Sequence, residues 1–372
     1  MNIGIVINTS WNIFNFRQGL IKALLLDGHT LFAIAPKDEY SSKLAELGVK
    51  VIPVKIDSKG LNPIKDLKLI YDLRRIYKNQ KLDCVLQFTI KPNIYGTIAA
   101  VLLQTKVINN VSGLGTIFIR ENLLSSLVRR MYKWSFKKSF HVFFQNSDDI
   151  HLFLQKKLIK KKKCSLLPGS GIPLDLINYT PKEYSENNRS FFMPSRLLID
   201  KGVKEYVQAA IKLKAEFGTR VDCFLCGKPE ENKKLGFGLL EANEWTEKGF
   251  LNYLGHIDNT LDWMSKSDIV VLPSYREGTP RSLLEAASLG RPIITTDAPG
   301  CREIVQNTRN GLLCAVKDSN SLYNCMREMV LADNLKLSAM GKESRNIVEE
   351  KYDENIVIRK YRKQLKKINR WI

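Results

Sequence analysis

The sequence predicts an α/β protein of two Rossmann-like, doubly wound domains facing each other across a cleft. Its 372 residues exceed the size at which a single hydrophobic core usually keeps growing. Short β-rich apolar runs alternate with segments of helical period, once over 1–170 and again over 190–352, the pattern of parallel sheets covered by helices. Between the two series, LLPGSGIPLDLINYTPKEYSENNRS breaks the alternation with glycine, proline and polar residues, which places an interdomain linker at 171–189. Residues 353–372 carry a last helix, near 354–368, expected to cross back onto the first domain.

The first series opens with IGIVIN and a helix near 16–27 that presents Phe16, Leu20, Ala23 and Leu24, stopped by Gly28. LFAIAP, a helix over 41–47 and VKVIPVKI follow. The next helix is opened by Asn62 as cap and Pro63 in its first turn. DCVLQFT, a helix after Pro92, KVINNV, a basic helix near 122–138, HVFFQN and a helix after Ser147 complete the half. The Asp148-Asp149 pair reads as the cap of that helix. The second series runs FFMPS, a helix from Val203, VDCFLCG, a helix over 239–248, FLNYLGH, a short helix after Asn259, DIVVLPS, a helix from Pro280, PIITTD and further helices.

Composition limits the function classes. No apolar run approaches the roughly 18 residues needed to span a bilayer, and MNIGIVIN lacks the features of a secretory signal, so a soluble or peripheral protein is expected. Seven cysteines without framework spacing suggest a reducing compartment. Cys223 and Cys226 form a CxxC, but within a strand they point to opposite faces, which defeats dithiol chemistry or shared metal ligation. The net charge of +20 is uneven: residues 1–180 hold 27 Lys+Arg against 12 Asp+Glu, leaving 31 against 26 for the rest. Such a field favours an anionic partner, nucleic acid or a membrane carrying anionic lipid. The KKLIKKKK run at 156–163 has no interleaved aromatics to stack bases, so a solvated turn or a phospholipid contact suits it better.

Chemistry concentrates in SDIVVLPSYREGTPRSLLEAASLGRPIITTD. A strand ends at Ser274, a turn carries Glu277 and Gly278, and Thr279 with Pro280 reads as a helix cap and first helical residue. The N–H groups and positive dipole end of that helix suit a diphosphate or a sugar hydroxyl. In PSRLLIDKGVKEY, Arg196 follows a strand and Lys201 precedes a helix, a fork and a mobile point charge suited to phosphate, although exposed cations near helix starts are also common. No GxGxxG follows the first strand, where TSWNIFNFR stands instead. GLG at 113–115 either lets a sugar or phosphate approach the backbone or makes a plain turn.

These residues resemble the retaining two-domain glycosyltransferases of the B-type fold, family four, whose mark is Glu, seven residues, Glu. Here that is Glu277 to Glu285, with Gly278, Pro280, Leu284, Ala286, Gly290 and Pro292 in matching places, Arg196 and Lys201-Gly202 upstream and YDENIVIRKYRK as the closing helix. SWNIFNFRQGLIKALLLDGH, GLNP at 60–63 and the VSGLG loop narrow the likeness to α-N-acetylgalactosaminyltransferases that extend undecaprenyl-diphosphate sugars for capsule, O-antigen or protein glycosylation.

The resemblance implies a metal-independent transfer from a nucleotide sugar, with UDP-N-acetylhexosamine favoured, to a lipid-linked saccharide, and no nucleic acid partner. It casts Arg196 and Lys201 as stabilisers of the departing phosphate, Glu277 as the binder of donor-sugar hydroxyls and Glu285 as the binder of the ribose. Gly227, His256, Ile257, Gly278, Thr279, Pro280 and Leu284 complete the implied donor site. Ser10, Arg17, Asn110, Ser112 and Gly113 are the implied acceptor or sugar-facing residues. Relatives place a histidine in the loop that reads NNVSGLG here, leaving Asn110 and Ser112 as uncharged candidates for its place. Another enzyme of the same fold, an epimerase or a glucan synthase, and a basic nucleic-acid-binding protein are the alternatives. A peripheral position on the cytosolic face of the inner membrane follows if the helix ENLLSSLVRRMYKWSFKK docks there. Its stripe of Leu124, Leu127, Val128, Met131 and Trp134 either packs on the sheet or faces lipid, with Arg129, Arg130, Lys133 and Lys137 alongside.

Overall fold

A computed structural model describes residues 1–57, 62–114 and 123–370, with side chains from 126 onward in the last stretch. Gly60 and Leu61 of the GLNP segment, Gly115 and the Leu124 side chain lie outside the described residues. The chain forms two compact units, Met1–Gly171 with Glu354–Ile372, and Ile172–Asp353.

The first unit contains β1 (Asn2–Val6), α1 (Ser10–Leu26), β2 (Thr30–Ala35), α2 (Tyr40–Glu46), β3 (Lys50–Pro53), α3 (Pro63–Asn79) and β4 (Cys84–Phe88). A π-helical turn (Pro92–Gly96) runs into α4 (Thr97–Val101), followed by β5 (Lys106–Val111), α5 (Leu123–Lys138), β6 (His141–Phe144), α6 (Ser147–Gln155) and β7 (Cys164–Leu166). All seven strands are parallel, in the order β3-β2-β1-β4-β5-β6-β7. Alternate strand residues feed two cores. Val6, Ile34, Val85, Val107 and Val142 meet α3, α4, α5 and α6, whereas Ile5, Ala33, Leu86, Ile108 and Phe143 meet the opposite layer of helices.

The second unit holds β8 (Arg189–Pro194), α7 (Val203–Phe217), β9 (Val221–Cys226), α8 (Leu239–Glu247), β10 (Asn252–Tyr253), α9 (Thr260–Lys266) and β11 (Ile269–Leu272). It continues with α10 (Arg281–Ser288), β12 (Ile293–Thr296), β13 (Gly311–Cys314), α11 (Ser319–Leu331) and α12 (Asn334–Lys351). Its six parallel strands take the order β10-β9-β8-β11-β12-β13. After α12 the chain rejoins the first unit as α13 (Glu354–Asn369), which buries Val357, Ile358, Tyr361, Leu365 and Ile368 in the same core as α1 and α2.

The segment expected as a linker is no spacer, because 172–189 belongs to the second unit. Ile172, Ile177 and Tyr184 enter its core, and the fully buried Arg291 donates to Thr180 O at 2.8 Å and Thr180 Oγ1 at 3.0 Å. Those bonds, with one from Arg345 to Ile177 O at 2.8 Å, satisfy backbone that would otherwise need water. Helix α1 starts six residues earlier than the apolar period indicates, capped by Thr9, because the non-helical Arg17 (φ −139°, ψ 16°) breaks the phase. Asp148 and Asp149 stand in the first turn of α6, and the cap is Asn146, whose side chain accepts from Asp149 N at 2.8 Å.

Assigning α13 to the first unit changes the charge partition. The first unit carries 34 Lys+Arg against 12 Asp+Glu, a balance of +22, and the second 24 against 26, a balance of −2. Within the first unit, buried Asp66 on α3 accepts from Lys91 Nζ at 2.8 Å and from Tyr95 OH at 2.9 Å, tying the π-helical segment to α3. Asp66→Ala leaves Lys91 without its counter-ion and is expected to lower stability by about 3 kcal/mol. Tyr95→Phe removes one hydrogen bond and is expected to lower it by about 1 kcal/mol. Urea unfolding of both variants measures the difference, and equal losses would mean that the ion pair contributes nothing.

Candidate active site

The second sheet reverses its direction of growth between β8 and β11, with β9 and β10 added on one side and β12 and β13 on the other. Loops leaving the carboxyl ends of these two strands diverge, and the crevice between them is where open α/β sheets bind ligands. β8 runs on through Ser195 and Arg196 into a 3₁₀ turn at Ile199–Lys201, and β11 runs on through Pro273 and Ser274 to Glu277.

The two loops meet at an ion pair. Lys201 Nζ donates to Glu277 Oε1, and Ser274 Oγ donates to the same oxygen at 2.7 Å. The lysine side chain is 21% exposed and the glutamate 14%, so salt screens them less than a surface pair. Tyr275 N donates to Asp200 O at 2.8 Å, and Tyr275 OH donates to Oε1 of buried Glu205 on α7 at 2.8 Å. Burial and the adjacent Glu205 push the Tyr275 phenol up. Arg196 is exposed and has no carboxylate at ion-pair distance among the described residues.

Two glycines permit this closeness. Gly202 has φ +75°, and a Cβ there would stand 2.1 Å from Pro273 O. Gly300, after β12, has φ +83°, and its Cβ would stand 2.3 Å from Glu277 O. Glu277 N donates to Pro299 O at 3.0 Å, so the turn is backed from both sides. Gly227 (φ +145°) packs its α-carbon on Ser195 and donates to Gly255 O at 2.8 Å, joining the ends of β8, β9 and β10. Exposed His256 lies 3.6 Å from Asp258, and half-buried Ile257 packs on the core.

Pro280 occupies the cap of α10 in an extended conformation, and a proline there has no side-chain acceptor with which to cap the helix. The expected pairing of Thr279 as cap with Pro280 as first helical residue is thus shifted by one, because the proline takes ψ 115° and the helix begins at Arg281. Glu285 accepts from Arg281 Nε at 3.0 Å, one turn away. Burial holds its carboxyl above the usual range, partly offset by Arg281. Leu284, expected against the donor, is 1% exposed and belongs to the core, because residues 283, 284, 286 and 287 form the face that α10 buries.

The residues expected to face the acceptor in the first unit divide. Ser10 is fully buried and donates to Pro36 O at 2.9 Å. Arg17 is buried with its guanidinium 3.8 Å from the Phe88 ring centroid, and it donates to Asn12 O at 3.0 Å. Asn110 donates to Tyr361 OH at 3.1 Å and accepts from Gln145 at 3.3 Å. A narrow cavity at the carboxyl ends of β4, β5 and β6 is lined by Arg17, Phe88, Asn110, Gln145, Ser170 and Tyr361 among others. Ser112 and Gly113 (φ +133°) are half-buried in the loop beyond β5. Among the described residues no group of three or more His, Cys, Asp or Glu side chains could hold a metal ion. Cys223 and Cys226 are buried, and desolvation pushes both thiols up to about 12, so neither forms thiolate readily.

Comparison with known proteins matches this architecture. Residues 3–146 fit the model "Glycosyl transferase 4-like", and residues 180–347 fit "Glycosyl transferases group 1". The chain is 30% identical to the N,N'-diacetylbacillosaminyl-diphospho-undecaprenol alpha-1,3-N-acetylgalactosaminyltransferase of Campylobacter jejuni, over 98% of both chains. The chain belongs to this glycosyltransferase family. It is also 27% identical to an Escherichia coli UDP-Gal:alpha-D-GlcNAc-diphosphoundecaprenol alpha-1,3-galactosyltransferase, over 77% of this chain and 76% of that one. A glycosyltransferase from Rickettsia africae superimposes with a TM-score of 0.77 at 18% identity, covering 99% and 98% of the two chains. Anabaena HepE in complex with UDP superimposes with a TM-score of 0.78 at 16% identity, covering 99% and 100%. The fold is the two-domain B-type glycosyltransferase fold.

Several parts of this glycosyltransferase's site carry no plain signal in sequence. Ser274 and Gly300 lie at turn positions in PSYREG and DAPG, but only the tertiary structure brings them to Glu277. Glu205 reads as an ordinary first-turn acid until Tyr275 is seen to bond it. Gly202→Ala adds an atom where Pro273 O stands and imposes left-handed strain of about 1–2 kcal/mol. It is expected to part the two loops and lower turnover at least about tenfold, while far-ultraviolet circular dichroism stays unchanged. Sugar-transfer kinetics at saturating donor check this, and wild-type rates would show that the approach of the loops is irrelevant to catalysis.

Proposed function

We propose that this glycosyltransferase moves an N-acetylhexosamine, with N-acetylgalactosamine favoured, from a UDP-sugar to an undecaprenyl-diphosphate-linked saccharide, with retention and without a metal. The observation that carries the substrate reading is the likeness over 98% of both chains to the C. jejuni N-acetylgalactosaminyltransferase. The Lys201–Glu277 pair at the strand-order reversal supports the placing of the donor.

The anomeric carbon exchanges its bond to the diphosphate oxygen for a bond to the acceptor oxygen on the same face, and the acceptor's proton leaves with the diphosphate. Negative charge therefore grows on the leaving phosphate. Lys201 has three N–H donors and commits one to Glu277, so it can reach a phosphate without giving up that partner. Arg196, exposed and without a carboxylate partner among the described residues, adds a planar fork. These two cations neutralise the diphosphate where a divalent ion otherwise would. Glu277, with one oxygen held by Lys201 and Ser274, accepts from the donor-sugar hydroxyls, and Glu285 accepts from the ribose hydroxyls.

The acceptor reading implies work at the cytosolic face of a membrane. Among the described residues no helix is long and apolar enough to cross one. A charge of +22 on the first unit supports peripheral attachment to anionic lipid, each cation near the surface contributing ~1 kcal/mol. Exposed Arg130 and Lys133 on α5, with half-buried Arg129, are among those cations.

Lys201→Ala is expected to cut turnover about 10²–10³-fold in a folded protein. Transfer of radiolabelled sugar from UDP-N-acetylgalactosamine to a short-chain diphosphate-linked acceptor measures it, and near-normal rates at saturating donor would remove Lys201 from the site. Activity is expected to survive EDTA, and loss that manganese restores would overturn the metal-free reading. Protonating Glu285 removes one acceptor from the ribose, so donor affinity should fall as pH drops through its raised value. Donor KM should therefore climb at a higher pH than an ordinary glutamate produces, and Glu285→Gln should flatten that limb while weakening the donor throughout. An unchanged acid limb in that variant would assign the titration to another group.

A further inference from the structure

We propose that the outer face of the layer formed by α3, α4 and α5 seats the first unit on an anionic lipid bilayer, with Ile64, Leu67 and Tyr71 of α3 entering the interfacial region. This placement rests on the acceptor being lipid-linked, as inferred above, and it goes further in naming an apolar contact.

Helix α3 has two apolar stripes where a helix covering a sheet needs one. Leu69, Leu73 and Tyr77 face the core in line with Asp66. Ile64, Leu67 and Tyr71 stand on the solvent side at spacings of three and four, 80%, 67% and 65% exposed. Around them Lys65, Lys68, Arg74, Arg75 and Lys78 are all exposed. The acids on this helix do little to balance them, since Asp66 is buried against Lys91 and only half-buried Asp72 remains; Lys65 also approaches Asp57 at 3.6 Å.

The neighbouring helices extend the same face. α3, α4 and α5 bury Leu73, Ala99 and Tyr132 in one core, so they lie on one side of the sheet and their outer surfaces look the same way. Leu102 at the end of α4 is 67% exposed, and Leu127 and Trp134 on α5 are 54% and 42% exposed. The α5 stripe thus divides, with Val128 packed on the sheet and Leu127 and Trp134 left outside among Arg130, Lys133 and Lys137. The opposite layer, α1, α2 and α13, has cations too, but of its large apolar side chains only Trp11 and Leu26 are exposed among the described residues.

Apolar side chains set in a field of cations form the surface of an interfacial helix, which buries its apolar face at the headgroup boundary while lysines and arginines meet anionic phosphates. A nucleic acid would use the cations but leave aliphatic Ile64, Leu67, Leu102 and Leu127 nothing to stack on. The second unit, with its balance of −2, has no such electrostatic attraction.

Flotation of the full-length protein with phosphatidylglycerol-phosphatidylcholine vesicles tests the contact. The wild type should float with anionic vesicles, and the double variant Leu67→Asp, Tyr71→Asp should bind at least about tenfold more weakly while its transfer to a soluble short-chain acceptor stays at the wild-type rate. In Tyr71→Trp, emission beyond the wild-type background should shift blue on binding and be quenched by brominated acyl chains. Equal flotation of wild type and double variant, absence of quenching, or binding of single-stranded RNA at physiological salt without binding of vesicles would each overturn the proposal. Failure of the wild type to glycosylate any diphosphate-linked acceptor would sink the substrate reading instead, and the vesicle result would still decide the surface.

Discussion

The reversal of strand order between β8 and β11 is the constraint on which the candidate site depends. Parallel strands need crossover connections, and here successive crossovers go to opposite sides of β8, so the loops leaving β8 and β11 are pushed apart at their carboxyl ends. Every group assigned to the leaving diphosphate and the donor sugar hangs from those two loops. They are then drawn together at a few points. Gly202 lies where any side chain would strike the Pro273 carbonyl, and Tyr275 reaches across to Asp200 and Glu205. A crevice that topology opens is thereby narrowed by contacts that only glycine or a well-placed hydroxyl can make.

The ion pair at its centre illustrates how a site prepares for charge. A lysine alone at the end of β8 would be a mobile, strongly hydrated cation. Held to Glu277, which is itself held by Ser274, it loses much of that freedom, and in the proposed transfer less ordering would be left for the transition state. Glu285 shows the opposite economy. Burial works against its charged form, with Arg281 only partly offsetting it, and such perturbed carboxylates are more frequent at functional sites than elsewhere.

The features legible in sequence were those written in local code. Both alternations of strand and helix, the Asn62-Pro63 start of α3, the glycine stop at Gly28 and the Glu277 to Glu285 segment are local patterns of period, capping and turn residues. What escaped reading was set by tertiary contact. The phase break at Arg17 hid the first turns of α1, since a helix that kinks does not keep one apolar stripe. Polar residues over 172–189 looked like a free connection because nothing local reveals that Arg291 and Arg345 will take up their carbonyls. Leu284 lies inside the motif yet points into the core, which the motif alone cannot distinguish from a ligand contact. Asn110 and Ser10 likewise have their polar groups engaged by the fold around them.

The path of the chain has a consequence for its biogenesis. The second unit is one contiguous stretch, whereas the first needs α13, whose Val357, Ile358, Tyr361, Leu365 and Ile368 complete the core beneath α1. A chain emerging from the ribosome at about 5–20 residues per second therefore carries an incomplete first unit through the whole synthesis of the second. During that interval one face of a seven-stranded sheet lacks part of its cover, which α13 supplies only after the second unit has been made. Nascent chains that stop short of α13 would thus expose the apolar side chains of α1 and the first sheet that this helix covers.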